Sequence, residues 1–301
     1  MTEQLSNLGT VLEAARRQVT ILSEQGEVVT GTVSTKAIKV VVGDTVTFEN
    51  RNGRIFVTAG SHSTHNLYRS YRGVLKKMGA NVDLLFVIGA VGQILNSVVI
   101  DRMLVAARVQ SIPTVLVINK VDLGLEELSQ LLEVYRKIGI EVICCSAKLS
   151  QNMEQIEARI NADGVRIVAL CGVSGVGKST ILNHMIPEAE RRVGEVSHRT
   201  GQGRQTTTQP RGFLYNKTGQ RIIIDLPGVQ FFGLSHASVE GVMRAFPEFV
   251  ESAVGCRFAD CRHLQEPECA VRDAIANGTI ASWRYDSYLQ ILEEIEDARK
   301  Y

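Results

Sequence analysis

The sequence predicts a multidomain α/β protein, and three observations along the chain support that class. Residues 18–65 form short alternating apolar runs between turns, which is typical of a small β-barrel. Residues 113–228 hold apolar runs of strand length that end in polar or glycine-rich loops, as in open α/β sheets. Beyond residue 229 the apolar residues recur at helical spacing around a cysteine and histidine cluster. We expect domains at residues 1–66, 67–232 and 233–301.

The N-terminal domain is predicted to contain short antiparallel strands joined by tight turns. The runs are Gly26–Val33, Ile38–Val42, Asp44–Phe48 and Arg54–Val57, with turns at Val42–Asp44 and Asn50–Gly53 between the later ones. Small barrels of this kind often bind single-stranded nucleic acid, although aromatic residues are sparse in this one. The formal net charge of +1 does not by itself indicate a nucleic-acid partner.

A glycine-rich loop in the second domain predicts a nucleoside triphosphate site. It lies between an apolar strand, Val165–Leu170, and a predicted helix, Thr180–Ile186. Backbone amides at such a helix start point at phosphate oxygens, the lysine reaches the β- and γ-phosphates, and the serine binds Mg²⁺. The binding residues of this motif are Gly172, Val173, Ser174, Gly175, Val176, Gly177, Lys178, Ser179 and Thr180.

A polar tetrad predicts that the base is guanine. Asn119, Lys120, Val121 and Asp122 follow the apolar run Pro113–Ile118, so they would lie at the carboxyl end of a strand. The Asp122 carboxylate can accept from the N1–H and the amine of guanine, which adenine does not offer. Lys120 can lay its stem on the base, and Asn119 either bonds to the purine edge or braces the phosphate loop.

The motif order indicates a circularly permuted GTPase, because the tetrad precedes the phosphate loop. A further element lies between them, where an apolar run ends in Ser146, Ala147 and Lys148. This segment resembles the GTPase loop whose backbone amide contacts the guanine carbonyl oxygen. In the usual nucleotide switch, by contrast, the phosphate loop opens the domain.

The switch residues are predicted downstream of the phosphate loop. Asp225 would hold Mg²⁺ through water, and the Gly228 amide would sense the γ-phosphate. Residues 203–208 form the candidate first switch, where one of three threonines completes the Mg²⁺ shell, with Thr207 as the candidate. Val229 follows Gly228 and cannot orient water, so Gln205 and Gln230 are alternative candidates for that role.

A basic block overlaps the candidate first switch. Residues 191–221 contain seven arginine and lysine residues and a single acid, Glu195. The pattern fits either a solvated loop or contact with a phosphate-rich partner.

The C-terminal domain is predicted to bind one structural Zn²⁺. Cys256, Cys261, His263 and Cys269 supply three thiolates and one imidazole within a short segment, which is enough to close a tetrahedral site. Zinc thiolates indicate a reducing cytoplasm. The N-terminus does not resemble a signal peptide, and the longest apolar run, Leu84–Gly92, is too short to span a bilayer, so we expect no membrane contact.

Taken in order, these motifs resemble the bacterial ribosome-small-subunit-dependent GTPase A family over nearly the whole chain. The resemblance implies an OB-like barrel, a circularly permuted P-loop GTPase domain and a zinc-binding helical domain. It also implies hydrolysis of GTP during late maturation of the small (30S) ribosomal subunit, with that subunit and 16S rRNA as partners of a cytoplasmic monomer. Gln205 stands where the family has a histidine that has been proposed to aid hydrolysis.

Two other functions would use the same motifs. The first is a zinc-containing RNA-binding protein that senses GTP without significant turnover. The second is a metabolic kinase or ATPase, which Asn119 and Asp122 disfavour because they match guanine.

Overall fold

The computed structural model describes residues 7–71, 74–92, 96–187, 189, 209–215, 220–227 and 232–299. Within these residues the chain forms a closed barrel, a two-stranded hairpin, a six-stranded sheet flanked by helices, and a group of C-terminal helices. The predicted multidomain α/β class is therefore confirmed. Among the helices described, none is both long and apolar enough to cross a membrane.

The N-terminal barrel closes through five strands in the order β1-β2-β3-β5-β4. All neighbouring pairs are antiparallel as predicted except β3 and β5, which pair parallel, so the prediction is wrong for that pair. Its interior is filled by alternate apolar side chains, including Val11, Ile21, Val46 and Phe48. The polar N-terminus hid the first of these strands from the sequence analysis. The strands are β1 (Asn7–Ala15), β2 (Gln18–Ser23), β3 (Val28–Val33), β4 (Thr45–Arg51) and β5 (Arg54–Gly60).

The strand predicted at Ile38–Val42 is wrong. This segment is irregular because the Val41 amide donates a hydrogen bond to the Asp44 carboxylate at 2.7 Å. That bond takes the place of a hydrogen bond to a neighbouring strand. Asp44 also binds the Lys77 amine at 2.7 Å. Val42 is buried, but in the core shared with the large sheet and not inside the barrel. Its apolar character reflects domain packing.

A hairpin joins the barrel to the sheet. Strands β6 (Leu67–Tyr71) and β7 (Val74–Gly79) pair antiparallel, and the chain then passes close under the barrel. Gly43 has φ +87°, and a Cβ there would lie 2.1 Å from the Ala80 carbonyl oxygen. Only glycine therefore permits this approach of the two backbones.

The large sheet has the order β10-β9-β8-β11-β13-β12, with every neighbouring pair parallel except β12 and β13. All residues of β8 are buried, as expected for a strand covered on both faces. The strands are β8 (Leu84–Ala90), β9 (Thr114–Asn119), β10 (Glu141–Cys144), β11 (Ile167–Cys171), β12 (Arg211–Tyr215) and β13 (Arg221–Asp225).

Eight helices of four residues or more complete the described fold. Four belong to the sheet: α1 (Ser97–Val109), α2 (Ser129–Lys137), α3 (Met153–Ile160) and α4 (Lys178–Met185). Four follow it: α5 (Val239–Arg244), α6 (Pro247–Ala253), α7 (Ala270–Ala276) and α8 (Ser282–Arg299). Residues 239–253 form two helices, α5 and α6, because Pro247 starts a new helix.

One hydrophobic core runs through all three parts of the chain. It contains Leu12 and Val42 from the barrel, Leu85 from the sheet, and Phe246 and Tyr288 from the C-terminal helices. The domain boundaries predicted at 66/67 and 232/233 stay predictions, since this core crosses both.

A buried ion network fastens the C-terminal helices to the sheet domain. Arg284 of α8 bonds to Asp101 of α1 at 2.5 Å and to Glu248 of α6 at 2.6 Å. Its guanidinium also lies 4.5 Å from the centroid of the Phe246 ring. Tyr135 donates to Asp101 at 2.9 Å. Burial raises the pKa of Asp101, and the charge of Arg284 opposes that shift.

Replacing Asp101 by alanine should destabilise the protein strongly. The change leaves the buried Arg284 charge with one fewer anion, which costs about 3–5 kcal/mol in comparable buried pairs. Glu240→Ala is the control, because its pair with Arg244 is exposed and contributes at most about 0.5 kcal/mol. Denaturant unfolding measures both. Equal free energies of unfolding for the two variants would contradict a stabilising role for the network.

Candidate functional site

The phosphate loop connects the end of β11 to the start of α4, at the carboxyl edge of the sheet. A Cβ on Gly172 would lie 2.3 Å from the Ile88 carbonyl oxygen, and one on Gly177 would lie 2.2 Å from the Asn119 amide nitrogen. Glycine is therefore required for the loop to fit against β8 and β9. Ser179 and Thr180, at the start of the helix, are exposed to solvent.

Lys178 folds back over this loop. Its amine donates to the carbonyl oxygens of Gly172 at 2.8 Å and Val173 at 3.2 Å. Burial lowers the pKa of Lys178, while the charge of Asp225 opposes that shift. The amine is thus held against the loop by two backbone carbonyls, within reach of a phosphate bound there.

Asp225 ends β13 beside the phosphate loop, where sequence analysis placed a magnesium residue. One oxygen of its carboxylate is buried and has no hydrogen-bond partner among the described atoms. Burial raises the pKa of Asp225, and the positive charge of Lys178 lowers it. A buried carboxylate oxygen without a partner fits a divalent cation, since Mg²⁺ prefers oxygen ligands. Ser179 supplies an exposed hydroxyl at the same edge.

Asn119 joins three motifs in one place. Its side-chain NH₂ donates to the Val176 carbonyl of the phosphate loop at 2.9 Å. Its side-chain oxygen accepts from the Ala147 amide at 3.0 Å. Asn119 itself is buried at 3% exposure. Of the two roles considered for this residue, the described geometry displays the brace between loops.

The other predicted base-recognition residues around this brace differ in their exposure to solvent. Lys120 adopts a left-handed conformation with φ 61°, and the turn that follows, Val121–Leu123, presents Asp122 to solvent. Ser146 and Ala147 are buried, whereas Lys148 is exposed. The predicted role of Asp122 in binding the base stays a prediction, and its side chain is exposed as that role requires.

Sequence analysis missed two apolar residues beside this pocket. Leu123 and Leu149 directly follow the tetrad and Lys148, and they are 63% and 60% exposed. Exposed leucines at such loops are candidates for contact with a purine face. The signal in the sequence that could have identified them is the position of each leucine directly after a predicted motif.

Three of the predicted site residues lie outside the described part of the chain: Gln205, Thr207 and Gly228. Their roles in hydrolysis and in sensing the γ-phosphate stay predictions. The same holds for Val229 and Gln230.

The four predicted metal ligands come together in a compact cluster. The ligand atoms of Cys256, Cys261, His263 and Cys269 all lie within 4.8 Å of one another. The sulfurs of Cys256 and Cys269 are 4.0 Å apart, close to the ~3.8 Å that Zn–S bonds of ~2.3 Å give in a tetrahedron. Burial raises the pKa of Cys261 to about 12, so a metal would have to displace its proton. The donor set fits a closed zinc site.

Helix α8 and Glu266 support the loop that carries these ligands. Tyr285 donates to the His263 carbonyl at 2.6 Å, and Tyr288 donates to the Arg262 carbonyl at 2.7 Å. The Glu266 carboxylate accepts from the amides of Arg262 and Leu264, each at 2.8 Å. The sequence did not indicate these two hydrogen bonds, because they depend on tertiary contact.

A family model described as RsgA GTPase matches residues 61–235, which is more than half of the chain. The chain belongs to the RsgA GTPase family. The match extends from the last barrel residues to the segment before α5 and therefore includes the tetrad, the phosphate loop and Asp225.

Curated RsgA relatives are similar along nearly the whole length. The "Small ribosomal subunit biogenesis GTPase RsgA" of Haemophilus influenzae strain 86-028NP is 35% identical over 304 aligned positions, covering 98% of this chain and 86% of the relative. The protein of the same name from Histophilus somni strain 129Pt is 34% identical over 301 positions, covering 97% and 85%.

Solved structures share the RsgA architecture. YjeQ from Thermotoga maritima superposes with a TM-score of 0.74 at 28% identity, covering 97% of this chain and 99% of YjeQ. YloQ, described as a circularly permuted GTPase, superposes with a TM-score of 0.71 at 23% identity, covering 99% and 98%. At that identity the second likeness establishes the fold alone.

Replacing Asn119 by alanine should weaken guanine-nucleotide binding. The change leaves the Val176 carbonyl and the Ala147 amide without their partner, a loss of about 1–3 kcal/mol or about 5- to 150-fold in affinity. Fluorescent-nucleotide titration measures the dissociation constant. Asn277→Ala is the control, because Asn277 makes a similar side-chain bond to the Thr279 amide outside the site. Unchanged affinity in Asn119→Ala would contradict the brace.

The purified protein should contain one Zn²⁺ per chain, and Cys261→Ser should lose it. Structural zinc contributes folding free energy, so the loop at residues 256–269 should also become more sensitive to protease. Elemental analysis and limited proteolysis measure these effects. Cys144→Ser is the control, since Cys144 lies outside the cluster. A metal-free protein with a protected loop would refute the site.

Proposed function

We propose that this chain is a GTPase that hydrolyses GTP to GDP and phosphate while assisting late maturation of the small ribosomal subunit. The observation that carries the proposal is the Asn119 brace, because it joins the guanine tetrad to the phosphate loop. Membership of the RsgA family and relatives named for small-subunit biogenesis support it.

GTP would bind across the carboxyl edge of the sheet. Asp122 would accept from the guanine ring, and the amides of the phosphate loop would surround the phosphates. Lys178 would exchange its bonds to Gly172 and Val173 for phosphate oxygens. Ser179 and Asp225 would hold Mg²⁺, which neutralises charge on the phosphates when bound.

Hydrolysis requires a group that orients water. Val229 has an apolar side chain in the position after Gly228, so the intrinsic rate should be slow and should depend on Gln205, Gln230 or the ribosomal partner. We propose Gln205 for this role and Thr207 for the Mg²⁺ shell.

The partner would be the 30S subunit, with contacts to 16S rRNA made by the barrel. A groove of about 560 Å³ lies between the turns that join β1 to β2 and β4 to β5. It is lined by Arg17, Arg54 and Phe56, and Arg51 lies 5.7 Å from the centroid of the Phe56 ring. Cationic and aromatic side chains together suit single-stranded RNA, which offers phosphates and stacking bases.

The proposal also includes one structural Zn²⁺ at the Cys₃His cluster and a monomer acting in the cytoplasm. The cluster closes with four donors, which leaves no position for catalysis at the metal. Its thiols favour a reducing compartment.

Purified 30S subunits should stimulate GTP hydrolysis by the wild-type chain. Lys178→Ala should lose phosphate binding, and Gln205→Ala should keep GTP affinity but lose about 10²-fold or more of the stimulated rate. Phosphate release during a 30S titration measures the rates. Lys137→Ala is the control, because Lys137 is exposed and pairs with Glu133 on α2. Nucleotide binding without stimulated turnover would favour a GTP-sensing RNA-binding protein.

The double change Arg17→Ala and Arg54→Ala should weaken 30S binding. If both cations contact phosphates, the slope of log affinity against log salt should fall by about 1–2. Binding at several salt concentrations measures the slope. Arg244→Ala, at an exposed ion pair on α5, should leave it unchanged. Identical slopes for all three proteins would exclude the groove from the RNA contact.

A further inference from the structure

The barrel rests on the antiparallel strand pair β12–β13 at the edge of the large sheet. The register of β1 shifts between Val11 and Glu13, so Leu12 lies in a bulge. Val11 is packed inside the barrel, whereas Leu12 belongs to the core shared with the sheet domain. The bulge therefore directs one barrel residue into the neighbouring domain.

The barrel contacts lie directly across from the magnesium residue. In the β12–β13 register, Arg211 is opposite Asp225 and Gly212 is opposite Ile224. Arg211 pairs with Glu13 of β1 at 3.4 Å. Opposed residues of antiparallel strands are only ~5 Å apart, so the barrel is one strand away from Asp225.

The approach at Gly212 is tight. A Cβ at this position would lie 3.1 Å from a methyl carbon of Ile222 on β13, and 3.2 Å from both the Leu12 carbonyl oxygen and a methyl carbon of Val42. Gly212 is not among the glycines with positive φ, so alanine is compatible with its backbone. An added methyl group would therefore press on the barrel at Leu12 and Val42, and also on the paired strand at Ile222.

A second contact holds the other end of the same strand pair. Gln220, just before β13, lies against the turn between β2 and β3. A Cβ on Gly26 in that turn would be 2.0 Å from the side-chain amide nitrogen of Gln220. The barrel thus contacts the β12–β13 pair at both ends, at Gly212 and at Gln220. Close-packed contacts of this kind transmit small displacements instead of absorbing them.

We propose that the β12–β13 pair couples the nucleotide site to the barrel. Binding of Mg²⁺ and GTP at Asp225 would then change the stability of the contact between the barrel and this strand pair. The inference rests on the proposed function, because it needs nucleotide at that site. Coupling between two sites is reciprocal. A ligand that binds the barrel groove therefore changes the affinity for GTP relative to GDP.

Hydrogen exchange of the full-length protein, followed by mass spectrometry, tests the coupling. Samples contain Mg²⁺ with either GDP or a non-hydrolysable GTP analogue. Peptides covering 172–180 report nucleotide binding, and peptides covering 7–15 and 23–33 report the barrel. We expect the barrel peptides to differ between the nucleotides by about fivefold or more in exchange rate, the lower end of typical couplings.

Gly212→Ala should abolish the difference in the barrel while the phosphate-loop peptides still respond. Gly60→Ala is the matched control, because its Cβ would make only an ordinary contact, 3.6 Å from Val40. If Gly212→Ala does not fold, the double variant Glu13→Gln and Gln220→Ala replaces it. Both side chains are at least partly exposed, so the double variant should fold, and it should reduce the same difference in the barrel.

Each outcome decides the matter. Barrel peptides that exchange equally with both nucleotides, while the phosphate loop is protected, overturn the coupling and leave the GTPase proposal standing. A barrel response that survives in Gly212→Ala, or that is undiminished in the double variant, also overturns it. If neither nucleotide protects residues 172–180 from exchange, the proposed function is refuted, and the coupling is refuted with it.

Discussion

The buried amide of Asn119 is the interaction on which the nucleotide site depends. The tetrad follows β9 and the phosphate loop follows β11, with β8 between them in the sheet. Because the side chain has both a donor and an acceptor, it can bind Val176 and Ala147 together. An unpaired buried amide would be costly, so the two loops are held in one relative position. Reversing the motif order along the chain therefore leaves this arrangement intact.

The rest of the molecule packs on the sheet domain through one shared hydrophobic core, although the barrel also has an apolar interior of its own. Leu12 brings the barrel into the core of the sheet, and Arg284 ties the C-terminal helices to α1. The zinc loop is in turn supported by Tyr285 and Tyr288 on the same helix as Arg284. The nucleotide site thus has packed contacts with both the barrel and the C-terminal helices. The barrel contact at Gly212 lies one register position from Asp225 in the β12–β13 pair.

Two errors in predicting the strands have identifiable physical causes. Ile38–Val42 is apolar and β-branched, yet Asp44 captures the Val41 amide and Val42 packs on the other domain. Asn7–Ala15 has a polar beginning, yet it pairs with β2 and β4 to close the barrel. Apolar character measures burial, and it does not say whether a strand or another domain provides that burial. A local hydrogen bond from Val41 to Asp44 and packing on the other domain decided the first case, and non-local strand pairing decided the second.

By itself the sequence determined the chemistry of this protein. The phosphate loop, the guanine tetrad and the Cys₃His cluster are short patterns whose function follows from residue type and spacing, so they could be read locally. Only the tertiary structure decided which groups face each other. The Asn119 brace, the Asp101–Arg284 pair and the contact of Leu12 with Gly212 join residues distant in sequence. Such contacts depend on how strands and helices pack, and local sequence patterns do not encode that geometry.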